Sequence, residues 1–411
     1  MPPTAPVRGE LRFGEFVALI GLMMAIPALS IDIMLAALPA IAESYAVAEA
    51  NDRQLIVTAY MAGFAIGQPF YGPLADRFGR KPLLIAGLLI FALGTVGALA
   101  APGFDTVLAA RALQGLGAAA PRVIAGTIVR DRFSGRQMAR VMSFVMMVFI
   151  IVPVLAPSIG EAISLIGGWP WIFGFLLLSA ALALGWVGLR LGETQRPEDR
   201  MPLTAAALGG ALAKVVTTRE TIGYTVATGF LFGSLMSYIS SAQQIFVDIY
   251  GLGPLFPVMF GALAAVIALA SLTNARLVGR LGMRAVSHAA LIGYVAACAA
   301  VAVAGFPPQM PLPALGLFLA VTFYCFGLAV PNFNAMAMQP VGHIAGTASS
   351  FIGFYTTAAG AAFGWAIGQA FDGTVRPLTM GYAVLGGLAL LTVLATERGR
   401  LLRGRERMPG A

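Results

Sequence analysis

The sequence predicts an all-α membrane protein with twelve transmembrane helices arranged as two six-helix halves. Three observations carry this expectation. Hydrophobic residues make up 59% of the 411 and charged residues 11%, whereas a soluble domain is about a quarter charged. Apolar runs long enough to cross a bilayer, ~20 residues each, follow one another along the chain. Lys and Arg crowd alternate connections between these runs and leave the others nearly bare.

In chain order, the first half holds runs near 15–41, 53–74, 82–101, 104–129, 138–163 and 169–190. The first is too long for a secretory signal and lacks its small-residue cleavage site. A polar stretch from Leu191 to Arg219 follows, with Pro197, Pro202 and the charged Glu198-Asp199-Arg200 cluster. Within it, Leu203 to Val216 reads as a short helix on the membrane surface. The second half holds runs near 220–247, 256–280, 286–305, 312–339, 345–371 and 377–396. The expected organisation is an N-terminal bundle over 1–190, a cytoplasmic linker over 191–219, a C-terminal bundle over 220–396 and a basic tail over 397–411. The halves are faintly repeated. Asn274-Ala-Arg-Leu-Val-Gly-Arg-Leu-Gly282 parallels Gly72 to Gly79, with Arg280 over Arg77 and Gly282 over Gly79, while Gly279 stands in place of Asp76. Such a repeat suits a carrier with its site at the interface of two bundles.

Orientation follows from charge. With the N-terminus inside, the inner connections and tails collect Arg8, Arg12, Arg77, Arg80, Lys81, Arg136, Arg284, the five arginines from Arg398 to Arg407 and others, against Arg53 and Arg376 outside. This predicts a multi-pass membrane protein with both termini cytoplasmic. The net charge of +8 is then an orientation signal, with the tail also able to touch anionic lipid, and no nucleic-acid partner is expected. Gly360, Gly364 and Gly368 at four-residue spacing, and Gly63 with Gly67, predict close helix contacts. The tight turn from Gly72 to Leu84 is expected to use Gly72 and Gly79 for unusual backbone angles, with Pro73 and Pro82 punctuating the helices.

Charges inside the spans point to function. Asp32 lies within the first span, and Arg111 and Arg122 within the fourth. A mid-membrane charge costs ~2.5–3.5 kcal/mol on insertion scales, so each should face a cavity or a partner. Asp32 and Arg111 sit at similar depth and can pair directly or through water, either as a fixed structural pair or as a proton switch; the switch is preferred because intramembrane acids usually serve function. Arg122 either snorkels or attracts an anionic part of a substrate. Gln114, Arg122, Tyr238, Gln243, Asn332 and Asn334 are the candidates to line a substrate cavity, each also compatible with packing or an interhelical bond. His288 and His343 form no metal or catalytic cluster, and Cys298 and Cys325 lie within spans as unpaired packing residues. No enzyme activity, metal or organic cofactor is expected. The coupling ion would be the proton, the partners a small-molecule substrate and the bilayer, and the protein a monomer. A polytopic membrane enzyme and a sensor are the remoter alternatives.

Several stretches resemble known signatures. Gly72-Pro-Leu-Ala-Asp-Arg-Phe-Gly-Arg-Lys-Pro-Leu-Leu84 is similar to the loop between helices 2 and 3 of the major facilitator superfamily. Arg111-Ala-Leu-Gln-Gly-Leu-Gly117, running on to Val129-Arg-Asp131, resembles its helix 4 signature. Pro153-Val-Leu-Ala-Pro157-Ser-Ile-Gly160 resembles the antiporter signature of helix 5. With Ser30 to Pro39, Ala345 to Ser350 and Gly368 to Gly373, the chain resembles the drug:proton antiporters, and within them the bicyclomycin- and chloramphenicol-resistance (Bcr/CflA) branch, from Ala28 to about Leu394. The resemblance implies a proton-coupled exporter of small amphiphilic compounds, or a narrow metabolite exporter on the same fold. It further implies that Asp76, Arg80 and Asp131 form a gating charge cluster with Gly72, Arg77 and Gly79. Asp32 would titrate, Arg111 would assist proton transfer, and, of the helix 5 motif residues Pro153, Pro157 and Gly160, the latter two would bend the fifth helix and seal it against the eighth. Ala36, Glu161 and Pro170 depart from the branch pattern.

Overall fold

The computed structural model describes residues 11–133, 135–195, 198 and 205–402. Arg8, Pro197, Asp199, Arg200, Pro202 and the tail from Arg403 lie outside the described residues, as do the side chains of Arg136 and His343. A long helix runs over each expected span. The helices are α1 (Phe13–Asp32), the short α2 (Leu38–Ser44), α3 (Leu55–Phe78), α4 (Arg80–Leu99), α5 (Phe104–Arg132), α6 (Gly135–Gly167) and α7 (Trp169–Arg190). After them come α8 (Ala205–Thr217), α9 (Arg219–Gln243), α10 (Phe256–Leu281), α11 (Met283–Val303), α12 (Leu312–Met338), α13 (Ala345–Gln369) and α14 (Arg376–Thr396). Among the described residues, nine helices are long and apolar enough to cross a membrane. α3 and α13 have the length but are diluted by Gly, Ser, Thr and Tyr, and α6 includes side chains outside the described set.

By packing, the chain forms two compact units, Met1–Ala40 with Ala59–Ala205, and Ile41–Thr58 with Ala206–Ala411. The boundaries expected from sequence give no hint that residues 41–58 pack with the second unit. There Asn51 donates to the Gln369 carbonyl at 3.1 Å and Gln54 to that of Gly368 at 3.1 Å, while Gln244 donates to Asn51 Oδ1 at 2.8 Å. In the first unit α4 packs along α5 and α7, and α1 along α5 and α6. In the second, α9 is the central element, packed on α12, α13 and α14. Gly360 and Gly364 let α13 reach α9, where an added Cβ would strike Phe232 or Met236.

The first span is broken where chemistry is expected. α1 ends at Asp32, a 3-10 turn occupies Leu35–Ala37, and α2 resumes the path. Pro39 explains the break: it has no N–H for the carbonyl four residues back, so the ladder cannot pass through this point. Met34 instead donates to Ile31 O at 3.2 Å and Ala37 to Met34 O at 3.0 Å.

The turn around Gly79 is shorter than its sequence suggests. α3 continues through Gly72, Pro73, Asp76 and Arg77 as far as Phe78, and α4 starts at Arg80, before Pro82. The bend is made by Gly79 alone, at φ 100 and ψ 158. Gly282 takes the same form between α10 and α11, φ 87 and ψ 157, so the repeat read from sequence is also a repeat of backbone geometry.

Candidate functional site

Ending α1 at Asp32 leaves its last carbonyls without intrahelical donors and leaves the negative pole of its dipole within the unit. Arg111 on α5 answers both needs. It is fully buried, and its Nη2 donates to the Ser30 carbonyl at 3.0 Å. Its Nη1 donates to Gln114 Oε1. The guanidinium also lies over the Tyr60 ring, 4.5 Å from its centroid. Gln114 in turn donates to Thr95 Oγ1 at 2.8 Å, and Thr95 donates to Phe91 O at 2.7 Å, so α4 fixes the arginine's fork. Tyr60 donates to the Pro27 carbonyl at 3.1 Å, fastening α3 to the same helix end.

Asp32 is two residues beyond the carbonyl that Arg111 holds and is buried, with 5% of its surface exposed. Tyr60 stands within electrostatic reach of both Asp32 and Arg111. On α1 Arg111 thus binds the backbone at Ser30, two residues before Asp32. Gly160 closes this helix end from α6: a Cβ there would lie 2.3 Å from the Ile33 carbonyl. Pro153 and Pro157 precede it within the same helix. The roles of Ser30, Thr95 and Tyr60 in holding Arg111 were not read from the sequence. The signal was Pro39, which announces orphan carbonyls near Asp32.

At the far end of α3, Arg80 is mostly buried and gathers the acids. Its Nη1 donates to Asp76 and its Nε to Asp131 Oδ2 at 3.1 Å. The segment after α7, expected to be linker, completes this cluster. Glu193 accepts the backbone N–H groups of Arg80 (2.9 Å) and Lys81 (3.1 Å), the free donors at the start of α4. Thr194 donates to Asp131 Oδ2 at 3.1 Å, and Gln195 to the Asp76 carbonyl at 2.8 Å. Arg77 lies over the neighbouring Phe78 ring at 5.3 Å.

A related cluster occupies the second unit. Arg284, two residues after Gly282, donates to Glu397 Oε1 at 3.0 Å and Glu220 Oε1 at 3.2 Å. Leu402 N–H donates to His288 Nδ1 at 3.3 Å, so His288 Nε2 carries the hydrogen toward Tyr224 Oη, 3.1 Å away. Tyr224 donates to Glu397 Oε1 at 2.5 Å. Burial opposes ionisation of Glu397, which lies beyond the last span, but the Tyr224 hydroxyl and Arg284 outweigh it and hold the carboxyl below its ordinary range.

The candidate cavity residues divide. Gln114 is wholly buried and its amide is engaged by Arg111 and Thr95. Asn332 donates to Asn274 Oδ1 at 2.7 Å, joining α12 to α10. Tyr238 is buried against Phe260 and Phe323. Gln243 is buried, and Asn334 is half-buried. Arg122 keeps much of its surface uncovered and reaches Met24 Sδ at 3.9 Å.

The family profile described as Major Facilitator Superfamily matches residues 13–365. The chain is 33% identical to the uncharacterized MFS-type transporter YdgK of Bacillus subtilis, over 85% of this chain and 86% of the relative. It is 30% identical to the bicyclomycin resistance protein homolog of Haemophilus influenzae, over 95% of this chain and 98% of that one. Among solved structures it is similar in fold to the human organic anion transporter MFSD10, with a TM-score of 0.71 and 19% identity over 94% of this chain and 100% of that one.

Proposed function

The chain belongs to the major facilitator superfamily, and on that premise we propose that it is a proton-coupled exporter moving drugs or other small amphiphilic compounds out across the inner membrane by alternating access. The drug class is supported by similarity over nearly full length to a bicyclomycin resistance protein homolog. Transport, with no catalysis of its own, is the activity this reading assigns.

The observation that carries the coupling is the buried carboxyl of Asp32 at the broken end of α1. A carboxylate there sits where the helix dipole tolerates negative charge least, and Arg111 stands over the adjacent carbonyl. Gain or loss of one proton changes the charge beside that arginine. It therefore changes the balance between its bond to Ser30 and its attraction to Asp32. The proton enters from outside and leaves inside, and each passage resets the end of α1. The Arg80 cluster lies at the cytoplasmic face in this reading, consistent with its basic surroundings.

Everted membrane vesicles from an efflux-deficient host test the proposal. A panel of antibacterial and dye compounds should include some that accumulate against their gradient when a proton gradient is imposed, and an uncoupler should abolish that uptake. Asp32→Asn should bind the same compounds without concentrating them. Undiminished uphill uptake by Asp32→Asn would refute the coupling role.

A further inference from the structure

For Arg122 the sequence allows two roles, reaching the membrane surface or meeting an anionic part of a substrate. The geometry of the first unit favours the second. We propose that Arg122 holds the anionic group of the transported compound, so that the carrier prefers amphiphiles bearing a carboxylate. The proposal rests on the exporter reading and names the substrate class within it.

Depth argues against the membrane surface. Arg122 is ten residues from the end of α5 at Arg132, about 15 Å at the rise of an α-helix. Helical side chains lean toward the N-terminus of their helix, here away from that end. Two arginines of α5 show the difference. Arg132 lies over the Phe16 ring near the start of α1, 5.6 Å from its centroid. Arg122 Nη1 instead stands 3.9 Å from Met24 Sδ, roughly 12 Å farther along α1 by the same rise. Its guanidinium is therefore held within the span, beside a thioether that accepts only weakly.

The side of the helix argues against lipid. Leu113 is exposed and stands about two and a half turns from Arg122 along α5, so it marks the opposite side. Arg111, about three turns away, shares the side of Arg122. That side meets α1 at Ser30 and Met24. α3 and α4 flank it closely: a Cβ on Gly115 would strike the Tyr60 carbonyl, and one on Gly94 the Gln114 backbone. One turn from Arg122 in either direction the residues are small, Ala118 and Gly126. Ala118 is buried, yet Arg122 is exposed, and a Cβ on Gly126 would meet nothing within 4 Å. A cation thus faces open space on the side of α5 turned away from Leu113.

A carboxylate entering that space can accept two parallel bonds from the planar fork of the arginine. Charges within spans are stabilised by pairing, whereas an ammonium there would meet like charge.

Purified full-length protein in detergent at neutral pH tests this with three fluorescent probes of one scaffold. Each is a dansyl alkyl chain, ending in a carboxylate, in its uncharged amide or in an ammonium. The wild-type protein should bind the carboxylate about tenfold more tightly than the amide, the scale of one charge-assisted bond, and the ammonium most weakly. Arg122→Gln should bring carboxylate and amide to equal affinity. Arg122→Lys should retain part of the preference, and Arg122→Glu should favour the ammonium. Replacing a charge within a span by an amide eases insertion, so Arg122→Gln is expected to fold. A wild-type protein without preference for the carboxylate would overturn the proposal, as would an Arg122→Gln variant that keeps it. Binding needs no proton gradient. Failure of proton-driven uptake in vesicles therefore counts against the exporter reading, while the order of affinities reports on Arg122.

Discussion

At the scale of single residues, Arg111 is the group on which most of the candidate site converges. Its planar fork serves the Ser30 carbonyl and Gln114 at once, which a lysine ammonium cannot reproduce. Arg111→Lys should leave a buried acceptor unsatisfied, at a cost of about 1–3 kcal/mol, and should be seen as a lower Tm together with loss of uphill transport. Glu397 supplies a pH dependence. Because its folded carboxyl is held below the ordinary range, the stability it contributes is present above the usual glutamate pKa and is lost as pH falls through its lower folded value. Melting curves across mildly to strongly acidic pH should show this loss, and Glu397→Gln should flatten it. Asp32 and Arg111 were legible from sequence because charge in an apolar run is conspicuous. Thr95 and Glu193 were not, since a threonine in a span and an acid in a polar linker look ordinary until the helices they reach are known.

Helices and turns show a different balance. Their positions were legible nearly throughout, because apolar runs bounded by basic connections leave little freedom. Where a helix stops inside the membrane was less so. Pro27, Pro69 and Pro73 are accommodated within α1 and α3, whereas Pro39 coincides with a break. A proline reads the same in all four places, so the sequence does not mark which one interrupts its span. Three glycines test the element scale. Gly160→Ala would press a methyl on the Ile33 carbonyl and should cost about 1–3 kcal/mol as overpacking. Gly79→Ala would force an alanine into φ 100 and ψ 158 and against Glu193, at roughly 1–3 kcal/mol for the backbone alone. Gly126→Ala, on α5 with open space around it, should instead be neutral or stabilising by about 0.5–1 kcal/mol. Thermal unfolding in detergent measures all three.

At the scale of the whole molecule, the two-bundle plan was legible from the linker and the repeat, and Gly79 with Gly282 makes that repeat geometric. The exchange of residues 41–58 into the second unit was not legible, because it depends on helix ends meeting a turn from another part of the chain. Asp32 is the proposed carrier of the coupling proton. The most direct measurement is proton release from purified protein in weakly buffered detergent solution when a compound identified in the vesicle panel is added. The wild-type protein should release protons on binding, and Asp32→Asn should bind the compound and release none. Equal release from both proteins would contradict the account.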